Sequence, residues 1–347
     1  MPLMSVFDEC LGSVTWIGNL DWRIARKIAL TLSQEHHINM CVTQTPKPLP
    51  HPGLPPVFDS RLAATRLERA TSAGYEPFLL ARAADDLQER LGTLARRFEL
   101  AVDIATAAPL AANALLASGR VDHLIRIVPQ GAHAEKGQAV ASLEALPLRE
   151  AMADIIVSLL ALQGINDLPG ALIQMRRALR PDGLLLACLF GGATLTELRQ
   201  ILLETEVALT DGASPRVAPF VDLRDMGGLL QRAGFALPVA DVENVTVRYD
   251  DIFALMRDLR AMGLASTLVD RSRKPVARGF WVEAAKRYAA RFADADGRIR
   301  ASFDMVWVSG WAPHESQPKP LRPGSAKTRL AQALGVVETS AGEKPGG

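Results

Sequence analysis

Phe98-Glu-Leu-Ala-Val-Asp-Ile104 is followed by Ala105-Thr106-Ala107-Ala108-Pro109. The first run is near-continuously apolar and carries an acid near its end, the pattern of a strand buried on both faces. A nucleotide-binding α/β domain would follow such a strand with a glycine-rich turn. Glycine there permits positive φ and lets the backbone approach a ligand. This turn has no glycine. The stretch therefore predicts a cofactor-type scaffold and puts the ligand itself in question.

The pattern repeats outward from this strand. Leu124–Val128, Ile155–Leu160 and Leu184–Phe190 read as further strands, with helical runs at Leu110–Ser118 and Leu168–Leu179 between them. Asp167 is placed to cap the second of these helices, and Arg180-Pro-Asp-Gly183 reads as its stop and turn. Upstream, Asp59 is a candidate N-cap for a first helix, and Pro77 opens a second that runs to about Leu94. Downstream come helices at Thr194–Leu209 and Leu223–Ala233, then an extended run from Gly234 to Tyr249. Helices at Asp250–Met262 and Pro275–Phe292 precede a final strand, Arg300–Trp311. Alternating strands and helices predict an α/β, Rossmann-like, doubly wound and mostly parallel sheet, and the two late strands predict an antiparallel edge.

Three regions are expected: an N-terminal extension with a Pro-rich linker over 1–56, an α/β domain over 57–311 with a helical excursion at 250–295, and a C-terminal tail over 312–347. Within the extension, Trp16–Leu32 has the pattern of a short amphipathic helix carrying Arg23, Arg26 and Lys27. It reads either as a loosely ordered extension or as a helix for a membrane surface or a partner.

Composition narrows the function. Of 347 residues, 48% are hydrophobic and 22% charged, enough for a sizeable core. Lys and Arg number 39 against 38 Asp and Glu, so no field of one sign points to nucleic acid. The three cysteines contain no C-x-x-C, and the six histidines no H-x-x-x-H. A reducing compartment fits, and no metal is expected. No apolar run reaches the roughly 18 residues of a membrane span. No secretory signal is read at the N-terminus, and a cytoplasmic location is expected, with peripheral contact at the inner membrane left open.

Rossmann dehydrogenase and P-loop fingerprints are both missing. Two later features are similar to the class I S-adenosylmethionine (SAM) methyltransferase fold. Ala178-Leu-Arg-Pro-Asp-Gly-Leu-Leu-Leu186 resembles its helix, L-x-P-G-G turn and fifth strand, and Arg232-Ala-Gly-Phe235 resembles its A-G-F entry to the sixth. A narrower resemblance covers roughly Phe58 to Leu330. It rests on Ile165-Asn-Asp-Leu-Pro169, Phe190-Gly-Gly-x-Thr-Leu-x-Glu-Leu-Arg199, Ser214-Pro-x-x-x-Pro-Phe220, Phe253-x-Leu-Met-x-Asp-Leu259, Met262-Gly263 and Gly310-Trp-x-x-His-Glu-Ser-Gln317. These resemble the methyltransferase-like assembly factors of respiratory complex I, which are associated with arginine hydroxylation and related to the biotin-pathway malonyl-carrier-protein methyltransferase. The resemblance implies a seven-stranded sheet, SAM as cofactor and a protein substrate, with a complex I subunit as the partner.

Against those relatives the cofactor side has eroded. Where they read D-x-G-x-G-x-G, this chain keeps Asp103 and puts Ala105, Ala107 and Pro109 at the glycine places. They carry an acid at the end of the second strand for the ribose hydroxyls, and Leu124–Val128 offers none there. Near the adenine place, Ser142 and Glu144 remain, and Ser158 lies on the fourth strand. A side chain at a positive-φ glycine place costs about 1 kcal/mol. A missing ribose carboxylate removes roughly 1.5–3 kcal/mol. Together these come to about 2.5–4 kcal/mol, or roughly two to three decades of affinity. Asp103 reads equally as a ligand contact or as a tie for its own loop. The candidate substrate-side residues are Thr194, Arg199, Arg216, Tyr249, His314, Glu315 and Gln317. Arg199 has a second reading as a solvated helix arginine, and Tyr249 as a packed strand end. Three functions follow from the resemblance: an enzyme acting on a protein side chain, a cofactor-free assembly protein, and a carrier-protein methyltransferase.

Overall fold

In the computed structural model of the chain, residues 55–129, 138–209 and 212–318 are described, with 332, 335 and 336. The amphipathic stretch Trp16–Leu32 lies outside them, as do the basic residues from Lys319 to Arg329. Chain contacts divide into a unit that ends at Pro313 and another that begins at His314.

The first unit opens with two helices, α1 (Ser60–Ser72) and α2 (Phe78–Thr93), and then strand β1 (Phe98–Ile104). It continues through α3 (Leu110–Ala117), β2 (Val121–Pro129), β3 (Gln138–Ala141), β4 (Ala153–Leu159), α4 (Leu168–Ala178) and β5 (Leu179–Phe190). The last third holds α5 (Thr196–Leu209), α6 (Leu223–Arg232), β6 (Ala236–Tyr249), α7 (Ile252–Ala261), α8 (Arg278–Phe292) and β7 (Ile299–Trp311). The strands form one seven-stranded sheet in the order β3-β2-β1-β4-β5-β7-β6. β1 to β5 are parallel, and β7 runs antiparallel to both β5 and β6. This is the expected doubly wound sheet with its antiparallel edge, in the order of the class I methyltransferase fold. Strand order reverses between β1 and β4, the switch point beside which such sheets bind ligands.

Local chemistry accounts for the elements. β4 is buried at every position and β1 at five of seven, because helices cover both faces. On one face α4 and α6 pack Leu172, Met175, Met226 and Leu230 against Val102, Ile156 and Leu185. On the other, α2 and α3 pack Leu87, Leu91, Ala111 and Leu115 against Ala101, Ile155 and Val157. Asp59 caps α1 by accepting from Leu62 N at 3.0 Å, and Asp167 caps α4 by accepting from Gly170 N at 2.8 Å. A Cβ on Gly170 would fall 2.0 Å from Asp167 Oδ2, so the cap and the glycine require one another.

Two expectations need correction. Arg180–Gly183 is not a turn before the strand but a bulge within β5. Pairing steps from Ala153↔Leu179 to Ile155↔Leu184, and Asp182 stands at φ 61°. β3 is also present although no apolar run announces it; its four residues pair only with β2.

A third cluster lies beyond the strand ends. α5, α7 and α8 bring Leu198, Leu202, Ile252, Leu255, Phe280 and Tyr288 onto Phe190, Ile299 and Phe303. With α1 these helices roof the carboxyl ends of the parallel strands.

Candidate functional site

Beneath that roof is a cavity of about 460 Å³. Ala105 and Ala107 line it after β1, Pro129 at the tip of β2, Ser142 and Glu144 after β3, Leu160 after β4 and Thr194 after β5. The expected rim of the sheet is therefore the floor of the cavity. Three non-glycine residues on this floor and its edge hold left-handed backbone: Ala105 (φ 59°), Leu160 (φ 50°) and Leu195 (φ 55°). Backbone strain of this kind gathers where a fold shapes a site.

The turn after β1 keeps the geometry of a glycine turn without the glycine. Ala105 N donates to Ile127 O at 2.6 Å, which fixes the turn against β2. Asp103 does not reach the cavity. It is fully buried, accepting from Thr106 Oγ1 at 2.5 Å and from Arg126 Nε at 2.8 Å. Arg126 also donates to Thr106 O at 2.8 Å, and Thr106 Oγ1 accepts from Leu159 N at 3.2 Å. Asp103 and Arg126 face each other because they are register partners in β1 and β2. Burial pushes the Asp103 carboxyl up to about 6, against the opposing pull of the Thr106 hydroxyl and the Arg126 charge. Of the two readings, the geometry is that of a loop tie. Ser158 is likewise internal and donates to Ile104 O at 2.8 Å.

Glu144 and Ser142 sit on the cavity wall in a tight turn. Glu144 N donates to Ser142 Oγ at 3.2 Å, and Glu144 Oε1 accepts from Asn166 N at 2.8 Å. The Asn166 side chain in turn bonds Phe58 N and O at 2.8 and 3.1 Å, which ties the start of α1 to this wall. That is the structural role of Asn166 in the Asn-Asp-Leu-Pro stretch.

On the substrate side the candidates divide. Thr194 is buried and staples β5 to β7, its hydroxyl lying 3.3 Å from Asp304 O and 3.0 Å from Asp304 N. Arg199 is held by the carbonyls of Gly192, Thr194 and Ala218 at 3.1–3.3 Å, an internal strut and neither a solvated arginine nor a cavity residue. Arg216 lines the cavity but is committed to Glu206 by two bonds of 2.9 Å, with its guanidinium 4.7 Å from the Phe280 ring centre. Tyr249 packs at a strand end. Its buried hydroxyl has no hydrogen-bond partner, and burial together with the nearby Asp258 carboxylate pushes its pKa up. His314, Glu315 and Gln317 belong to the second unit. There His314 N donates to Gln317 Oε1 at 3.2 Å, and His314 Nδ1 lies 2.7 Å from Ser316 Oγ.

Sequence reasoning did not single out Gln163, Tyr75, Arg66, Arg260, Arg271 or Ser266, all of which line the cavity. Gln163 Oε1 and Ser266 Oγ are buried polar atoms without a partner. Among the described residues no three His, Cys, Asp or Glu side chains are grouped to hold an ion.

The sheet order and the position of the cavity are those of the class I methyltransferase fold, and residues 101–187 match the family model described as "Methyltransferase domain". In sequence the chain is 40% identical over 184 residues to arginine-hydroxylase NDUFAF5, mitochondrial, of Dictyostelium discoideum, covering 53% of this chain and 42% of that protein. It is 41% identical over 175 residues to the malonyl-[acyl-carrier protein] O-methyltransferase of Laribacter hongkongensis, covering 50% of this chain and 56% of that one. The chain thus spans about half the length of the curated relatives it matches. Among solved structures, a SAM-dependent methyltransferase of Thermotoga maritima aligns over 72% of this chain and 99% of its own at 15% identity, with a TM-score of 0.38.

Do the cavity residues fit SAM? The place and the volume do, since cavities of roughly 300–1,000 Å³ hold ligands of this size. The donors and acceptors do not. Asp103 is spent on Arg126 and Thr106. The β2 tip is Val128-Pro129, which supplies no carboxylate for ribose hydroxyls and, at Pro129, no N–H. A methyl group stands at Ala105, where the turn needs left-handed backbone. Among the described lining residues Glu144 is the one acid, and its Oε1 already accepts from Asn166.

Proposed function

We propose that this is a methyltransferase-fold protein of respiratory complex I assembly, binding or acting on a side chain of a protein subunit, with a weakened seat for SAM. The observation that carries the reading is the turn after β1, which keeps its place and left-handed geometry while its acid is turned inward to Arg126. The sequence similarity to the arginine-hydroxylase relatives supports the choice of branch. An arginine side chain is not the residue we assign to the cavity. A guanidinium entering it would meet Arg66, Arg216, Arg260 and Arg271 against one carboxylate among the described lining residues, Glu144.

A second reading, a cofactor-free assembly protein, is favoured by one specific observation: Asp103 is fully buried, with one oxygen turned to Thr106 and the other to Arg126. Pull-down from respiring cells tests the assembly role common to both. A complex I subunit is expected among the recovered proteins, and recovery of none would defeat it. Methyl incorporation from labelled SAM into acyl carrier protein is expected to be absent, and its presence would shift the assignment to the carrier-protein branch.

A further inference from the structure

The cofactor reading uses the floor of the cavity and leaves the roof unexplained. The roof is apolar, with Leu198, Leu202, Phe220, Trp281 and Phe303 on the lining. Its polar groups are of one sign. Arg66 of α1 donates to the Ser266 carbonyl and has no carboxylate within ion-pairing distance among the described residues. Arg260, at the end of α7, is exposed and likewise has none. Arg271 donates to Leu268 O at 2.7 Å and makes a long ion pair, 3.9 Å, with Asp59. Arg66 is lowered in pKa by burial first and by the Arg271 and Arg69 charges next, with the Asp59 carboxylate opposing them more weakly. Beside Arg66, the Ser266 hydroxyl is buried and unpartnered. A buried polar atom without a partner is destabilising, and three guanidinium groups beside a single distant carboxylate, Asp59, favour a further anion among them.

We propose that the roofed half of the cavity binds an amphipathic anion, a carboxylate or phosphate head on an extended apolar chain. The head meets Arg66, Ser266 and Arg271 with Arg260 at the mouth, and the chain lies along Leu198, Leu202 and Trp281. The proposal deepens the functional reading, because it takes the same cavity as the site. It is separable from it, because SAM would occupy the floor.

The test titrates the full chain with dodecanoate, dodecyl phosphate, dodecanol and dodecyltrimethylammonium below their micellar concentrations, read by calorimetry and by Trp fluorescence. Both anions are expected to bind at least about tenfold tighter than the alcohol, and the cation weakest. Shortening the chain should weaken binding roughly three- to fourfold per methylene. Tighter dodecanoate indicates a free fatty acid as the source, and tighter dodecyl phosphate a lipid phosphate; either supports the proposal. Arg66→Gln and Arg260→Gln should each weaken the anions about fivefold or more and leave the alcohol unchanged. Arg260 is exposed, so its variant keeps the test decisive even if Arg66→Gln does not fold. Equal binding of all four probes, or binding of none, overturns the inference. A SAM titration on the same sample keeps the two claims apart: failure of the amphiphiles alone sinks this inference and leaves the cofactor reading standing.

Discussion

Ala105 occupies a backbone conformation that glycine holds at little cost. Ala105→Gly is therefore expected to leave stability unchanged or raise it by up to about 1 kcal/mol, relief of strain offsetting the entropy gained by the unfolded chain. Ala107 has no positive φ, so Ala107→Gly should lose about 0.5–1 kcal/mol. Urea denaturation of the pair checks both, and equal losses would contradict the assigned turn geometry. Asp103 gives a pH-dependent prediction. Its folded carboxyl, at about 6, lies above the unfolded value of roughly 3.9. Between these values the folded state holds the extra proton, so wild-type stability falls as pH rises through that window, by at most about 3 kcal/mol. Asp103→Asn cannot titrate and should lack this fall. Parallel curves for the two proteins would mean that Arg126 offsets the burial fully. Arg126→Met, which leaves the acid buried and unpaired, should cost about 3–5 kcal/mol by the same denaturation assay.

At the scale of elements, the Phe190-Gly-Gly192 run has a packing explanation. A Cβ on Gly191 would lie 2.6 Å from Val306 Cγ2 and 3.1 Å from Asp304 Cβ on β7, whereas one on Gly192 would meet only Val221 O at 3.9 Å. Gly191→Ala is expected to cost about 1–3 kcal/mol, and Gly192→Ala to stay within about 0.5 kcal/mol. A reversed order in thermal denaturation would refute the packing account. Most elements were legible because continuous Val, Ile and Leu runs and Asp caps mark a buried parallel sheet and its helices. The bulge at Arg180–Gly183 was not, because Pro-Asp-Gly signals a turn equally well whether or not pairing resumes across it. β3 was missed because a four-residue edge strand carries too little apolar signal.

For the whole molecule, the mostly parallel sheet and its antiparallel edge followed from the alternation of strands and helices and the seven-stranded fold from the family resemblance, but the use of individual site residues followed from neither. Arg199 and Thr194 have the sequence signature of a ligand site, and both are spent holding the end of β5. Arg66 and Ser266 gave no signal, because they meet only through the packing of α1 on the segment after α7. No helix among the described residues is long and apolar enough to cross a membrane. The most direct measurement of the central claim is the thermal midpoint of the full chain titrated with SAM and with its demethylated product. A ligand that prefers the native state must raise that midpoint. With Asp103 turned inward and no acid at the tip of β2, the midpoint should stay flat until ligand reaches roughly millimolar concentration. A rise complete in the low micromolar range would show an intact seat for the adenosyl group and contradict the account.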